Sequence, residues 1–336
     1  MSKFHFIPPK PEQGAALLTV LLLVSVMAVI AATALDRLTL STKVAANSNA
    51  ILQARSYALA AEALATSRIS DLLIAGGNRT TLAGDWNGQE RSLPIPEGVA
   101  RLRVSDSGNC FNLNSLVAVD EATNSENLIK NPIGINQFIA LMNSLGISDQ
   151  EARAIADASA DWIDSDALAS ALGAEDSYYQ TLNTPYRAAN RLMAERSELR
   201  SVRGVTPAHY ATLKPWLCAL PIAALSPINV NTLLPEQAIL LSMLIPQSLT
   251  LDRARSYLAN RPASGYANQN AFWNAPQLAD IRPSANVLQQ IQVKSRWFDL
   301  EIVVNLGTVR LREKTLIDAK DEQRPLILYR NWGHAG

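Results

Sequence analysis

The chain has 336 residues, enough for one large domain or two ordinary ones, and 48% of them are hydrophobic, enough for a substantial core. Thirty Lys and Arg residues balance thirty Asp and Glu residues, so the formal net charge is zero. The chain as a whole therefore does not attract nucleic acid or an anionic membrane surface. Two cysteines, Cys110 and Cys218, are too few for a disulfide-rich scaffold and lack the spacing of a zinc site, but they allow one bridge.

The first element is an apolar segment from Ala15 to Leu35 that contains no charge, glycine or proline. At about 1.5 Å per residue, such a helix spans the roughly 30 Å hydrocarbon core of a bilayer. A secretory signal peptide is the alternative, although its apolar core is typically only about 7–15 residues long. Lys3 and Lys10 precede the segment, so the positive-inside rule predicts a cytoplasmic N-terminus and an exported remainder.

The helical pattern continues beyond the apolar segment. Residues 15–75 contain no Gly or Pro, and Gly76 with Gly77 supplies an end. The sequence therefore predicts one spine helix, with a transmembrane part at 15–35 and a periplasmic part at 36–75 that packs on a folded domain.

The remaining sequence changes its pattern twice. Two alternating stretches predict strands at 92–95 and 99–104, and the pattern between about 135 and 260 is helical, with a capping box at 148–151 and a second cap at 206–207. Strand patterns return at 289–293, 297–305 and 308–317, with a hairpin at 305–307. We therefore predict an α+β protein with a small antiparallel sheet domain from 76–118 and 285–332, and an inserted all-helical domain at 119–284.

The N-terminal arrangement resembles that of type IV pilins and pseudopilins, since a short basic segment ends in Gly14 and an apolar helix follows. The resemblance implies that residues 1–14 are a leader, that prepilin peptidase cuts between Gly14 and Ala15, and that the new N-terminus is methylated. Most family members have Glu at the fifth mature position, where this chain has Thr19. A subunit without that carboxylate fits poorly in a filament shaft but is suited to start one; sequence drift at a lipid-facing position is the alternative.

An ordered set of short motifs resembles the general secretion pathway protein K family, the large minor pseudopilins of the type II secretion system. The motifs are CFNLN at 110–114, DWID at 161–164, GAED at 173–176, YRAAN at 186–190, ELR at 198–200 and INVNT at 228–232. The resemblance implies a non-enzymatic subunit at the pseudopilus tip that initiates and caps assembly for protein export across the outer membrane. Its expected partners are other minor pseudopilins, the major pseudopilin, inner-membrane lipid, and the secretin or an exported protein. The spine residues expected to pack against partner helices are Leu17, Leu18, Thr19, Leu21 and Val24.

Five carboxylates fall within 16 residues and repel one another unless a cation or hydrogen-bond donors offset their charge: Asp161, Asp164, Asp166, Glu175 and Asp176. Calcium prefers many oxygen ligands in flexible geometry, and the spacing does not match an EF-hand. The family resemblance favours a structural calcium ion here, with Glu175 and Asp176 as the first expected ligands. A solvated acidic loop is the alternative.

Export of the C-terminal part also predicts the redox state of the two cysteines. An oxidising periplasm favours a bridge between Cys110 and Cys218 over two free thiols.

No recognised hydrolase, nucleotide or metalloprotease motif occurs, and export makes nucleic acid an unsuitable partner. The alternatives are a membrane-tethered periplasmic enzyme that uses the acidic residues as a metal site, and a minor pilin of a type IV pilus. We expect a single-pass protein of the bacterial inner membrane with its C-terminal domain in the periplasm.

Overall fold

The structure is a computed structural model that describes residues 12–122 and 126–334. The predicted leader lies outside the described residues except for its last three positions. The helices are α1 (Glu12–Gly76), α2 (Pro132–Ser144), α3 (Asp149–Ile163), α4 (Asp176–Tyr179), α5 (Pro207–Leu213), α6 (Ala238–Ser242), α7 (Leu251–Ala259), α8 (Gln269–Trp273) and α9 (Ala285–Gln290). The strands are β1 (Glu90–Ile95), β2 (Gly98–Asp106), β3 (Phe111–Asn112), β4 (Val117–Val119), β5 (Leu128–Lys130), β6 (Leu217–Cys218), β7 (Ile228–Asn229), β8 (Ile291–Gln292), β9 (Trp297–Leu306), β10 (Val309–Asp318) and β11 (Leu326–His334).

The spine helix α1 is continuous over 65 residues, as the absence of Gly and Pro predicted. At about 1.5 Å per residue it is close to 100 Å long. Its side chains from 15 to 49 are exposed, and the segment is long and apolar enough to cross a membrane. The helix ends at the predicted glycines, where Gly77 adopts a positive φ of 61° that favours glycine.

The second half of α1 lies across one face of a five-stranded antiparallel sheet with the order β1-β2-β9-β10-β11. A stripe of mostly small residues on the helix is buried against the inward side chains of the sheet: Ala54, Ala58, Ala61, Ala65, Ile69 and Leu73. Small side chains let the helix axis approach the strands closely, and the larger inward residues of β9, among them Phe298 and Ile302, complete this core.

The helical domain is inserted between two paired strands of that sheet. Asp106, the last residue of β2, is the register partner of Phe298 in β9, so the two ends of the insertion lie side by side. Phe111, Leu113 and Leu116 already belong to the core of the helical domain. The junctions therefore lie near residues 107 and 296, whereas the sequence placed them near 118 and 285, because the strand pattern alone does not reveal which core a buried residue joins.

A buried polar cluster and a disulfide fix this junction. The Asp106 carboxylate accepts hydrogen bonds from Thr232 Oγ1 at 2.5 Å and from the Ser295 hydroxyl. Burial raises the pKa of Asp106, and these donors partly offset that rise. Cys110 and Cys218 form the expected bridge, with their Cα atoms 5.8 Å apart.

The C-terminal part differs from the sequence-based prediction in two elements. Residues 285–290 form α9 rather than the beginning of a strand, because Ser284 caps the helix by accepting a hydrogen bond from the backbone N–H of Val287 at 3.4 Å. Only Ile291 and Gln292 of the predicted strand at 289–293 pair as one. The segment from Leu326 to His334, where no strand was predicted, forms the edge strand β11.

Candidate functional site

The acidic residues of the sequence lie at the end of α3 and in the loop that follows it. Ser148 caps α3, as predicted, by accepting a hydrogen bond from the Glu151 backbone N–H at 3.4 Å. Asp164 follows the last helical residue, and the chain returns at Glu175, directly before α4. The helix end and the returning loop therefore present carboxylates to the same space.

Three of the five predicted residues converge, namely Asp164, Asp166 and Glu175. One carboxylate oxygen from each lies within 4.8 Å of the others. Asp164 and Glu175 are buried whereas Asp166 is exposed, so this acidic triad has a buried floor and one side open to solvent.

The electrostatics of the triad are unfavourable without a cation. Among residues 12–122 and 126–334, no group donates a hydrogen bond to either carboxylate oxygen of Asp164 or of Glu175. Burial raises the pKa of Asp164 to about 6, and Lys130 offsets part of that rise. Burial also raises the pKa of Glu175 to about 7, and the negative charge of Asp164 adds to the effect. Buried carboxylates are normally paired or bound to metal, so the arrangement has the chemistry to accept a cation or further hydrogen-bond donors.

Lys130, at the end of β5, supplies one positive charge to this region. Its Nζ lies 2.8 Å from Asp161 Oδ1 and donates to the Leu168 carbonyl at 3.2 Å. The same nitrogen lies 3.3 Å from Asp164 Oδ2. Lys130 therefore forms ion pairs with both carboxylates and lies closer to Asp161 than to Asp164.

The other two predicted residues hold the loop instead of facing the triad. Asp161 accepts hydrogen bonds from the Ser170 backbone N–H at 2.9 Å and from the Ser170 hydroxyl at 2.7 Å. Asp176 Oδ1 accepts from the Ala188 backbone N–H at 2.9 Å. Both carboxylates thus have donors that fix backbone segments.

Sequence reasoning missed three residues that support this site. Lys130 is distant in the sequence from the carboxylates, and only the tertiary fold brings it to them. Gly173 passes so close to Asp161 that an added Cβ would lie 1.8 Å from Asp161 Oδ2, which requires glycine there. Arg203 then holds the loop by donating to the Gly173 carbonyl at 2.7 Å.

The chemistry of the triad fits a hard divalent cation. Carboxylate oxygens are the ligands that calcium and magnesium prefer, and the open side leaves room for water or carbonyl ligands. Within the described residues the triad is the only such carboxylate group, and it contains neither His nor Cys, which disfavours zinc.

The asparagines of the CFNLN and INVNT motifs hold backbone segments together through hydrogen bonds. Asn112 Oδ1 accepts from the Leu220 backbone N–H at 3.0 Å, and Asn114 Oδ1 accepts from the Met193 N–H at 2.8 Å. Asn229 forms a turn by accepting from the Asn231 N–H at 2.9 Å. Asn231 Oδ1 accepts from the Tyr266 N–H at 2.6 Å.

The predicted assembly residues lie on the exposed part of α1, which runs from residue 15 to residue 49. Thr19 donates its hydroxyl to the Ala16 carbonyl at 2.9 Å, which satisfies the hydroxyl within its own helix. Leu17, Leu18, Leu21 and Val24 are more than half exposed. Gly14 and Ala15 both lie within the continuous helix.

Comparison with known proteins identifies the family. A family model described as "Type II secretion system (T2SS), protein K" matches residues 228–294, and a model of the first domain of the same protein matches residues 109–222. The chain is 37% identical over 326 residues to type II secretion system protein K of Aeromonas hydrophila, covering 96% of this chain and 98% of the relative. It is 34% identical to the protein of the same name from Pectobacterium carotovorum subsp. carotovorum, covering 96% and 97%.

The fold agrees with these matches. A chain in the crystal structure of the GspK-GspI-GspJ complex from the enterotoxigenic Escherichia coli type 2 secretion system superposes with a TM-score of 0.73 at 31% identity, covering 84% of this chain and 96% of that one. Sequence and structure therefore agree, and the chain belongs to the type II secretion system protein K family.

Proposed function

We propose that this chain is the minor pseudopilin at the tip of a type II secretion pseudopilus, where it initiates and caps filament assembly for protein export across the outer membrane. The related structure is a complex of three secretion proteins. By analogy, the partners proposed for this chain are two other minor pseudopilins at the tip and the major pseudopilin below them.

The observation that carries this proposal is the position of the helical domain relative to the spine helix. The Thr80 N–H, four residues beyond the end of α1, donates to the Val293 carbonyl at 2.9 Å, and Lys294 contacts the Gly77 carbonyl. The inserted domain therefore adjoins the end of the spine that is remote from the apolar segment. A subunit with this bulk above its spine leaves no place for another subunit to stack on top.

The exposed first half of α1 supports assembly through the membrane. An apolar helix without contacts in its own chain is stable in lipid or against partner helices. Thr19 has no charge to offer a neighbour's N-terminus, which suits a subunit that has none above it. We further propose cleavage between Gly14 and Ala15, methylation of the new N-terminus, and an inner-membrane orientation with the head in the periplasm.

We also propose that the acidic triad binds a structural calcium ion. The four buried oxygens of Asp164 and Glu175 accept no hydrogen bond from the described residues, which supports this assignment, and Asp166 offers a third ligand. When bound, calcium would neutralise the repelling carboxylates and join the end of α3 to the loop before α4. The site would then stabilise the helical domain without catalysing a reaction.

The test is assembly of the full chain in nonionic detergent micelles with the two other minor pseudopilins of the same system, followed by native mass spectrometry with and without chelator. We expect a one-to-one-to-one complex that weakens when calcium is removed. A matched variant lacks residues 107–296, with a short Gly-Ser linker from Asp106 to Trp297, since these ends are adjacent. It should lose the capping function. Absence of any complex at micromolar concentrations would refute the tip role and favour a membrane-tethered enzyme or receptor.

A further inference from the structure

The outer face of the sheet and the helical domain enclose a cleft of about 460 Å³, which we call the interdomain cleft. Its volume lies in the range of about 300–1,000 Å³ that is typical of ligand sites. The sheet wall consists of two rows of side chains, each crossing β2, β9, β10 and β11 in register. The first row is Ser105, Asp299, Leu316 and Tyr329, and the second is Arg103, Glu301, Lys314 and Asn331.

The opposite wall comes from the helical domain and is fixed in place. Arg196 donates from Nη1 to the carbonyls of Lys214 at 3.1 Å and Leu217 at 3.3 Å. Asn331 of the sheet donates to Glu195 Oε1 at 3.0 Å across the cleft. Cys218 of the disulfide also lines this wall. The cleft is therefore preformed, so a ligand would not have to order it.

Positive charge is in excess within the cleft. Glu301 is paired with Arg312, whose Nη2 lies 2.6 Å away, and Arg103 lies 3.7 Å from Glu90. The remaining cations of the lining, Arg196, Lys214 and Lys314, outnumber the remaining carboxylates, Glu195 and Asp299, by one. The amines of Lys314 and Lys214 line the cleft from opposite walls, and neither has an ion pair or hydrogen bond to any part of the chain that the structure describes.

The electrostatic environment shows which groups share this space. Burial lowers the pKa of Lys314, and the charges of Arg312 and Arg196 lower it further, whereas Glu301 and Asp299 raise it. Burial raises the pKa of Asp299, and the Ser107 hydroxyl, Arg196 and Lys314 offset part of that rise. Arg196 and Lys314 therefore repel one another within the cleft, Asp299 offsets part of that repulsion, and an added anion would relieve the remainder.

One end of the cleft is apolar. Leu220 and Leu316 pack with Trp297 in a small buried cluster, and Leu217 lies beside them in the wall. Tyr329 and Ser105 lie in the same row of the sheet wall as Leu316. A ligand that fits must therefore place an apolar group at this end and an anionic group near the amines.

We propose that the interdomain cleft binds a polypeptide segment that carries a carboxylate next to an apolar side chain. Lys314, Lys214 and Arg196 receive the carboxylate, the Leu316 end receives the apolar side chain, and Asp299 accepts a hydrogen bond from a backbone N–H. Two sources offer this carboxylate, an acidic side chain and a free carboxyl terminus. The proposal does not depend on the tip function or on calcium.

The experiment measures fluorescence anisotropy of labelled hexapeptides with the full chain in nonionic detergent micelles. One blocked and amidated peptide contains an internal Leu-Glu pair, a second contains Leu-Gln, and a third ends in Leu with a free carboxylate. We expect saturable binding below about 1 mM for at least one carboxylate peptide and at least about tenfold weaker binding of the Leu-Gln peptide. Binding of the first or of the third peptide identifies the source of the carboxylate.

Matched variants localise the binding. Lys314→Gln should weaken binding about tenfold, and Lys214→Gln should weaken it in the same direction. Lys320→Gln removes the same charge outside the cleft and should leave affinity unchanged, and circular dichroism should show unchanged folding for all three. Absence of binding for every peptide up to about 1 mM would overturn the proposal. Equal binding of the Leu-Glu and Leu-Gln peptides, or binding unaffected by Lys314→Gln, would also overturn it.

Discussion

Two buried carboxylates, one on the spine helix and one on the sheet, contact the same arginine. Replacing one of them should raise the stability of the fold, whereas replacing the other should lower it. Glu62 of α1 accepts hydrogen bonds from Arg330 Nη2 at 2.6 Å and from Arg330 Nε at 2.8 Å. Glu313 of β10 is fully buried and lies 3.2 Å from the same Nε, and its Oε2 has no hydrogen-bond partner in the part of the chain that the structure describes. The arginine therefore neutralises Glu62 first, which leaves Glu313 as the strained partner.

The pKa shifts of the two carboxyl groups show which of them lowers the stability of the fold when it ionises. Burial raises the pKa of Glu313 to about 7, and Glu62 adds to the rise. Burial opposes ionisation of Glu62 as well, but the bonds from Arg330 hold its pKa below its ordinary value. Glu313 binds a proton in the folded state at a pH where the unfolded chain has lost it. Its ionisation therefore costs stability progressively from about pH 4.5 to pH 7, and the full cost remains above that range.

The perturbation is Glu313→Gln, which keeps the shape and removes the charge. A rise of the pKa from 4.5 to about 7 corresponds to about 3 kcal/mol of unfolding free energy at pH 8, as an upper bound. In thermal unfolding of the full chain in detergent micelles, followed by tryptophan fluorescence, this predicts a rise in Tm of about 4–10 °C at pH 8 and almost none at pH 4.5.

Glu62→Gln is the matched control, because it removes the carboxylate that Arg330 prefers. It should lower stability at pH 8 by about 1–3 kcal/mol. A Glu313→Gln variant that is less stable than the wild type at pH 8, or equally shifted at both pH values, would refute the reasoning. Equal effects of the two substitutions would show that the arginine does not discriminate between the carboxylates.

Three further outcomes follow from the fold. Millimolar calcium should raise Tm by several degrees through ligand linkage, and Glu175→Gln should remove most of that rise, as differential scanning fluorimetry would report; an unchanged rise would exclude this ligand. Reduction of the Cys110–Cys218 bridge should cost about 2–5 kcal/mol in urea unfolding, and a loss below about 1 kcal/mol would mean that the polar network alone fixes the junction. Gly134→Ala would place a Cβ 1.9 Å from a backbone carbonyl and should cost about 1–3 kcal/mol in the same assay, whereas Gly76→Ala, which meets nothing within 4 Å, should be nearly neutral.

Local patterns in the sequence predicted the elements that local interactions determine. The spine helix, the Ser148 and Thr206 caps and the hairpin at Gly307 depend on neighbouring residues, and the structure contains all of them. The edge strand β11 was missed because its residues alternate poorly between buried and exposed, so their pairing with β10 decides their structure.

The candidate site was predictable only in part. The acidic composition predicted a group of carboxylates, but which of them converge and which hold the loop depends on donors nine and twelve positions away in the sequence. The Ser170 backbone N–H donates a hydrogen bond to Asp161, and the Ala188 backbone N–H donates one to Asp176. The partnership of Glu62 with Arg330, residues 268 positions apart, was likewise beyond any local pattern.

The insertion between β2 and β9 has a consequence for folding. During synthesis the spine helix and the β1–β2 hairpin emerge first, and the central strand that should cover β2 follows only after nearly two hundred residues. Closing a flexible loop of that length is entropically costly and slow. If the inserted domain folds first, its ends near Asp106 and Trp297 come together, and the effective loop shrinks to a few residues. The helical domain would then act as an internal template for completing the sheet, and until it folds, the bare edge of β2 is open to pairing with the wrong chain.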